Sequence, residues 1–231
     1  MKLEFSGHNY QYAVEQSLLS LFPEERPVYG PIDSEEDSWA RVDLSQAGDT
    51  FTARTTLVHG GRRGEGERTE VISAADPYER EREKQKIVKL SFFEAARSVT
   101  GVTPPWGALT GIRPGKMAAR FFSEGKSEAE TDAILRDTYF VSPERRRLCM
   151  ETARHGLQAA AGLSPRDFAL YIGIPFCPTR CAYCSFVSNS VEKSFALVEP
   201  YLQSLLQEVA SAGEMIRRIG LRLRAFYMGG G

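Results

Sequence analysis

The sequence has no long hydrophobic run. None of its 231 residues belongs to a stretch approaching the roughly 20 apolar residues that a membrane-spanning helix requires. The amino terminus, MKLEFSGHNY, also lacks the continuous apolar core of a signal peptide. We therefore expect a cytoplasmic protein that has no membrane partner.

An excess of charge of one sign is also missing. Lys and Arg together number 29 and Asp and Glu number 30, which gives a formal net charge of −1. A protein that depends on broad electrostatic attraction to nucleic acid carries a clear positive excess. We expect no nucleic-acid partner. The hydrophobic fraction of 42% and the charged fraction of 26% are typical of folded globular proteins.

Cysteine is scarce, and three of the four cysteines lie close together. The stretch YIGIPFCPTRCAYCSF contains Cys177, Cys181 and Cys184 at the spacing C-x3-C-x2-C. Prolines on either side of Cys177 oppose helix and strand formation, so the three thiols belong to a loop. The apolar run at 169–174 predicts a buried strand that leads into this loop. The thiolates would then stand at the carboxyl end of that strand, where α/β folds place their chemistry.

Three clustered thiolates favour an iron-sulfur cluster over the other uses of cysteine. A [4Fe-4S] cube held by three cysteines leaves one iron open, and that iron can bind a substrate or cofactor directly. Structural zinc would require a fourth ligand. Disulfides are disfavoured by the odd number of close cysteines, and the set fits a reducing compartment. Cys149, in a predicted helix, is expected to be a small buried hydrophobic residue.

The residues before the loop predict an α+β domain at 1–163 with a small antiparallel sheet and several helices. A turn-rich segment at 60–66 is expected to form the tip of a hairpin, and the Gly and Pro of 162–165 mark the domain boundary. Strands are predicted at 2–5, 38–44, 50–58 and 68–72, and helices at 10–22, 77–98, 116–122, 128–139 and 143–161.

The residues after the loop predict a helix at 191–218 and a strand at 221–228, which ends at Gly229, Gly230 and Gly231. A strand, helix and strand in this order form a parallel βαβ unit. One such unit has too few neighbours to cover both faces of its strands. Glycines at a strand end permit close approach of the backbone to a ligand.

On these residues the sequence resembles the radical S-adenosylmethionine (SAM) enzymes, and among them the oxygen-independent coproporphyrinogen III oxidase group with its HemZ-type coproporphyrinogen dehydrogenases. The resemblance is carried by the lead-in YIGIPF, the cysteine triad, Tyr183 before the third cysteine, the glycine run, and the segment LTGIRPGK at 109–116. It implies that 167–231 begins a (β/α) barrel. Because the family continues beyond this point, we expect a truncated chain that does not cleave SAM by itself.

The resemblance also implies the roles of the site residues. It implies that Cys177, Cys181 and Cys184 hold a [4Fe-4S] cluster and that SAM binds the open iron. One electron from a donor such as flavodoxin or ferredoxin would then yield a 5′-deoxyadenosyl radical. The remaining implied contacts are with SAM: Tyr171 and Tyr183 beside it, and Gly229, Gly230 and Gly231 at its methionine end.

The substrate that the resemblance implies is a tetrapyrrole, coproporphyrinogen III, which would be decarboxylated to protoporphyrinogen IX. The best-known anaerobic oxidases have His where this chain has Gly173, and Cys where it has Phe186. Haem-chaperone relatives share the Phe, and a third branch methylates and opens haem. A haem-binding chaperone and a haem-degrading methyltransferase therefore remain alternatives. Arg113 and Lys116, near a predicted helix start, could bind carboxylates or could tie down neighbouring carbonyls.

Overall fold

The computed structural model describes residues 1–33, 36–111 and 113–230 of the chain. Two residues of the sequence-based predictions, Gly231 and Ile112 of the segment at 109–116, lie outside the described residues. The chain divides into two compact units, Met1–Gln158 and Ala159–Gly231. Within the described ranges, no helix is both long and apolar enough to cross a membrane.

The first unit combines one sheet with several helices. Its strands are β1 (Lys2–Ser6), β2 (Val28–Tyr29), β3 (Ser38–Ala47), β4 (Thr50–His59) and β5 (Arg62–Val71). Its helices are α1 (Gln11–Leu21), α2 (Pro77–Thr100), α3 (Gly115–Ser123), α4 (Glu128–Ala133), a π-helical turn (Ile134–Thr138) and α5 (Pro143–Ala161), which continues past Gln158.

The sheet of the first unit has the strand order β2-β1-β3-β4-β5. Strands β3, β4 and β5 pair antiparallel through two hairpins, whereas β1 pairs parallel with both β2 and β3. The expectation of a purely antiparallel sheet is therefore wrong, and the sheet is mixed. The reason is that α1 forms a crossover. It returns the chain from the carboxyl end of β1 to the end of the sheet at which β1 began, so that β2 and β3 run in the same direction as β1.

Helix α2 packs against β4 and β5 and forms the centre of the core. Its start is fixed by the Asp76 side chain, which accepts a hydrogen bond of 3.0 Å from the backbone N–H of Tyr78, and by Pro77 in the first turn. It ends at Gly101, whose φ of 70° is the left-handed conformation that glycine adopts without strain. Its apolar second half contains Phe92 and Phe93, which are almost completely buried. The predicted helix at 77–98 is confirmed.

The predicted hairpin tip at 60–66 is too long. The turn consists of Gly60 and Gly61 only, and β5 begins at Arg62. Gly64 and Gly66 lie within the strand, directly beneath α2. A Cβ atom on Gly64 would stand 2.3 Å from the carbonyl oxygen of Ala95. These glycines are therefore required for close packing of the helix on the strand, not for a turn.

The second unit is a parallel strand pair with a crossover helix. Its elements are β6 (Asp167–Ile174), β7 (Phe176–Cys177), β8 (Asn189–Ser190), α6 (Val191–Ser194), a short 3-10 helix (Phe195–Leu197), α7 (Val198–Ile219) and β9 (Arg222–Gly230). Strand β6 pairs parallel with β9, so the predicted βαβ unit is confirmed. The expected shortage of covering elements is also confirmed, because Phe226 and Met228 of β9 are more than half exposed.

The exposed connection at 162–166 gives a testable domain boundary. We propose that 1–163 and 167–231 behave as separate domains, because the first contains its own core and none of the clustered cysteines. Limited proteolysis should cut first at 162–166, and fragment masses from mass spectrometry would show it. Primary cleavage elsewhere, or an unfolded isolated segment 1–163, would contradict the division.

Candidate functional site

The two strands that carry the candidate site are tied together at their amino ends. Arg222, the first residue of β9, donates hydrogen bonds of 2.6 and 3.0 Å to the two carboxylate oxygens of Asp167, the first residue of β6. The Asp167 carboxylate also accepts the backbone N–H of Ser164. The Arg222 guanidinium holds the pKa of Asp167 well below its usual range. With this pairing in place, Tyr171 stands opposite Tyr227 further along the strands.

The cysteine loop leaves the carboxyl end of β6, as the sequence predicts, and is closed at its base. The two-residue strands β7 and β8 pair with each other, and the N–H of Asn189 donates a hydrogen bond of 2.7 Å to the carbonyl oxygen of Pro175. Within the loop, the N–H of Cys184 donates to the carbonyl oxygen of Cys181 at 3.0 Å, which forms a turn. This pairing brings together the two ends of the segment that contains the three cysteines.

The three thiols are free and accessible. Cys177 and Cys184 are half-buried, Cys181 is exposed, and none of them forms a disulfide. Tyr183 is 89% exposed beside them, and a hydrogen bond to the Cys181 sulfur raises the pKa of its phenol. The loop therefore presents soft sulfur donors to solvent at the strand end, which is the donor chemistry that iron-sulfur clusters use.

The thiols do not converge on a single point. Across the described parts of the chain, no three Cys, His, Asp or Glu side chains stand in an arrangement that could hold a metal ion. Thiolates repel one another without a cation, so a cluster imposes the final geometry of its ligands when it binds. The donor set and its accessibility fit a cluster, while the assignment of Cys177, Cys181 and Cys184 as its ligands stays a prediction.

The carboxyl ends of β6 and β9 lie side by side. The rings of Tyr171 and Tyr227 stack with their centroids 5.7 Å apart. Beyond them Gly173 pairs with Gly229, and a Cβ atom on Gly229 would stand 2.9 Å from the hydroxyl oxygen of Tyr171. Gly230 has a φ of 100°, and a Cβ there would stand 2.1 Å from the carbonyl oxygen of Ile174. A side chain at Gly230 would collide with the backbone, and a side chain at Gly229 would require the tyrosine rings to move.

Tyr227 is part of these strand ends but was missed in the sequence analysis. Its position, two residues before Gly229, repeats the position of Tyr171 two residues before Gly173. In parallel strands that repetition places the two tyrosines side by side. The pattern could have identified Tyr227 only after the register of the two strands was known. The contacts predicted for Tyr171, Tyr183, Gly229 and Gly230 with SAM stay predictions.

Tyr201 connects α7 to the entrance of the cysteine loop. Its hydroxyl donates a hydrogen bond of 2.5 Å to the carbonyl oxygen of Gly173, and its ring meets the edge of Phe176 at a centroid distance of 5.3 Å. Phe176 is 9% exposed and immediately precedes Cys177. Tyr201 therefore contacts the chain on both sides of Pro175, at Gly173 in β6 and at Phe176 in β7.

We expect Tyr201→Phe to loosen the loop without unfolding the unit, because the ring contact remains and only the hydrogen bond is lost. A hydrogen bond of this kind contributes about 1 kcal/mol, a factor of about five. After reconstitution with iron, the variant should lose iron to a chelator about five-fold faster than the unmodified chain. Tyr12→Phe is the control, since Tyr12 is 73% exposed on α1. Equal rates for the two variants would rule out this role for Tyr201.

Comparisons with known proteins show which proteins the chain is similar to. No family model matches the chain. The oxygen-independent coproporphyrinogen-III oxidase-like protein HemZ of Bacillus subtilis is 30% identical over 222 residues, which cover 94% of this chain and 43% of HemZ. Anaerobilin synthase of Escherichia coli O157:H7 is 31% identical over 68 residues, 29% of this chain and 15% of that protein.

The chain thus spans less than half the length of either relative. Among solved structures, a Vibrio cholerae protein covers 41% of this chain and 92% of its own length at 10% identity, with a TM-score of 0.29, which is too low to indicate a shared fold. The similarity to HemZ extends over both units, from the mixed sheet to the cysteine loop. These two similarities support a place for the chain in the radical SAM, oxygen-independent coproporphyrinogen-III oxidase-like family.

Proposed function

We propose that this chain supplies the cluster-binding loop of a radical SAM oxidoreductase that converts coproporphyrinogen III to protoporphyrinogen IX by oxidative decarboxylation. One observation carries the proposal. Three free, accessible thiols lie on one closed loop at the carboxyl end of β6, beside the glycine-lined end of β9. The 30% identity to HemZ over 94% of the chain supports the class of reaction.

In this proposal the residues of the chain bind and place the reacting groups. Cys177, Cys181 and Cys184 would hold three irons of a [4Fe-4S] cluster, and SAM would bind at the remaining iron. Together the cluster and SAM supply the hydrogen-abstracting chemistry, given one electron from a donor such as flavodoxin or ferredoxin. Tyr171 and Tyr183 would lie beside SAM.

The open end of the strand pair would accept part of the cofactor. Gly229 and Gly230 have no side chains, and the positions that their Cβ atoms would take are already filled by the Tyr171 hydroxyl and the Ile174 carbonyl oxygen, so a ligand would approach their backbone from the opposite side. The stacked rings of Tyr171 and Tyr227 border this space and can exclude water from one side of it. The chain would therefore position the reacting groups and shield them from water, which are the contributions that a protein makes to such chemistry.

A second candidate function is methylation and opening of haem. The similarity to anaerobilin synthase over 68 residues favours it. Phe186, where the best-known oxidases carry a further cysteine, is 69% exposed on the same loop. A tetrapyrrole is the partner in both proposals, and the two differ in the products formed from SAM.

The test is an anaerobic product assay on a chimaera in which this chain replaces the 222 matching residues of HemZ. With reduced flavodoxin, SAM and coproporphyrinogen III, we expect 5′-deoxyadenosine to form in proportion to the carbon dioxide released. Cys181→Ala in the chimaera should abolish both products, and Cys149→Ala should leave both unchanged. HemZ itself, assayed in parallel, shows that the conditions support turnover.

Each other result contradicts the first proposal in a distinct way. Formation of S-adenosylhomocysteine with haem as substrate would support the second candidate. Stoichiometric haem binding with little consumption of SAM would indicate a haem-binding chaperone of the same family. Release of 5′-deoxyadenosine that does not depend on the cysteines would remove the cysteine loop from the mechanism.

A further inference from the structure

The first unit contains a cavity that the proposed function does not use. It has a volume of about 390 Å³ and lies between α2 and α3. Its wall includes Thr110 and Lys116 of the segment that resembles the family, and Tyr139 follows the π-helical turn. None of the clustered cysteines belongs to this unit. The cavity is therefore a separate feature from the iron-sulfur loop.

Basic side chains dominate the wall of this cavity. The lining contains a single acidic residue, Glu83, and its basic residues are Arg82, Lys86, Lys89, Lys116 and Arg120. An excess of four positive charges follows from this lining. A concave surface of one sign concentrates ions of the opposite sign more strongly than a flat one.

Two of the five cations are already paired. The ammonium group of Lys86 contacts Glu83 and stands 2.8 Å from a carboxylate oxygen of Glu70. The guanidinium of Arg120 stands 3.5 Å from Glu124. Among the residues that the structure describes, Arg82, Lys89 and Lys116 have no ion-pair partner and no side-chain hydrogen bond. Three cations of the cavity lining, two on α2 and one on α3, are thus available to a ligand.

Of these three residues, Lys89 gives the strongest indication that the cavity binds an anion. It lies on α2 between Val88 and Leu90, which are both completely buried, and it is itself half-buried. Burial lowers the pKa of its ammonium group. A charged group that is withdrawn from water without a partner destabilises the fold, and a bound anion would offset that cost. Leu or Met would pack at this position without the penalty.

We propose that this cavity binds a small anion that carries two or more carboxylate or phosphate groups. Lys89 would contact the ligand at the floor of the cavity, and Arg82 and Lys116 would contact it from α2 and α3. Carboxylates and phosphates share the oxygen geometry that guanidinium and ammonium groups recognise. The volume lies within the range of small-molecule sites. Arg113, the other basic residue of the segment, lines only a second, largely apolar cavity, whose wall Lys116 shares.

The test measures binding of inorganic phosphate, citrate and coproporphyrin III to the 231-residue chain by calorimetry. We expect saturable binding of at least one of these, one molecule per chain, that weakens as salt is added. Phosphate alone would identify a phosphate-bearing ligand, and citrate or coproporphyrin III would identify a carboxylate-bearing one. Dissociation constants above about 1 mM for all three would overturn the proposal.

Variants distinguish a specific binding site from a general attraction of anions to a basic surface. Lys89→Met should weaken binding at least about ten-fold while leaving the chain as resistant to urea as before, or more so, since a buried charge is replaced by an apolar chain of similar length. Arg82→Gln should also weaken binding. Arg113→Gln is the matched control and should change nothing. Equal affinity for Lys89→Met and the unmodified chain would contradict the site.

A further variant keeps this inference independent of the proposed function. Cys181→Ala removes a cysteine of the second unit and should bind the anion as the unmodified chain does. Loss of anion binding in Cys181→Ala would show that the cavity is not an independent site, and the inference would be wrong.

Discussion

Replacing Cys181 with alanine is expected to remove the cluster from this chain. Anaerobic reconstitution of the unmodified chain should give about four irons and four sulfides per molecule, the content of one cube. Cys181 is the most exposed thiol of the three, and two cysteines cannot hold a cube that already has one iron without a protein ligand. The variant should therefore retain close to no iron and no acid-labile sulfide, as measured by colorimetric assay of the desalted protein.

Cys149→Ala is the matched control. Cys149 is 1% exposed in α5, and its thiol donates a hydrogen bond of 3.3 Å to the carbonyl oxygen of Pro114. Burial raises the pKa of this thiol, which makes it a poor ligand. Iron and sulfide should match those of the unmodified chain. Tightly held zinc without sulfide would instead mean that the loop is a structural metal site.

The largest effect on stability is expected from Gly66→Ala. A Cβ atom at this position would stand 2.0 Å from the carbonyl oxygen of Ser91, a backbone atom that can move only if α2 shifts as a whole. The free energy of unfolding should fall by about 3 kcal/mol, the upper part of the range for overpacked cores. Both tryptophans, Trp39 and Trp106, belong to the first unit, so urea unfolding followed by their fluorescence reports on this unit.

Gly156→Ala serves as the control for the loss of glycine itself. Gly156 lies inside α5, and a Cβ atom there would meet no atom within 4 Å. The free energy of unfolding should rise by about 0.5 to 1 kcal/mol, because alanine favours helix and restricts the unfolded chain. A similar change in both variants would show that the close contact between β5 and α2 is wrongly placed.

The helices could be predicted because their signals are local. Asp76 and Pro77 mark the start of α2 and Gly101 marks its end, and the predicted helix at 143–161 agrees with α5. The segment at 60–66 was predicted as a loop because glycine is common in turns. Gly64 and Gly66 are there for another reason, the approach of a helix from a distant part of the sequence. A sequence read along its length does not contain that information.

The candidate site likewise combines features that the sequence predicts with features that only the structure shows. The cysteine spacing and the apolar run before it predict a loop that follows a strand. The structure confirms that placement for Cys181 and Cys184, whereas Cys177 belongs to the two-residue strand β7, which the flanking prolines did not prevent. Tyr227 and Tyr201 depend on strand register and on the orientation of α7, so their roles appear only in three dimensions. The basic cavity depends likewise on α2 and α3, which bring Lys89 and Lys116 together from 27 positions apart in the numbering.

The measurement that tests the central claim most directly is electron paramagnetic resonance of the reconstituted, dithionite-reduced chain, recorded with and without SAM. An open iron in a three-cysteine cluster binds SAM directly, so the signal of the reduced [4Fe-4S] cluster should change shape when SAM is added. The same signal should be missing from Cys181→Ala and present in Cys149→Ala. A cluster signal that SAM leaves unchanged, or one that survives in Cys181→Ala, would contradict the account.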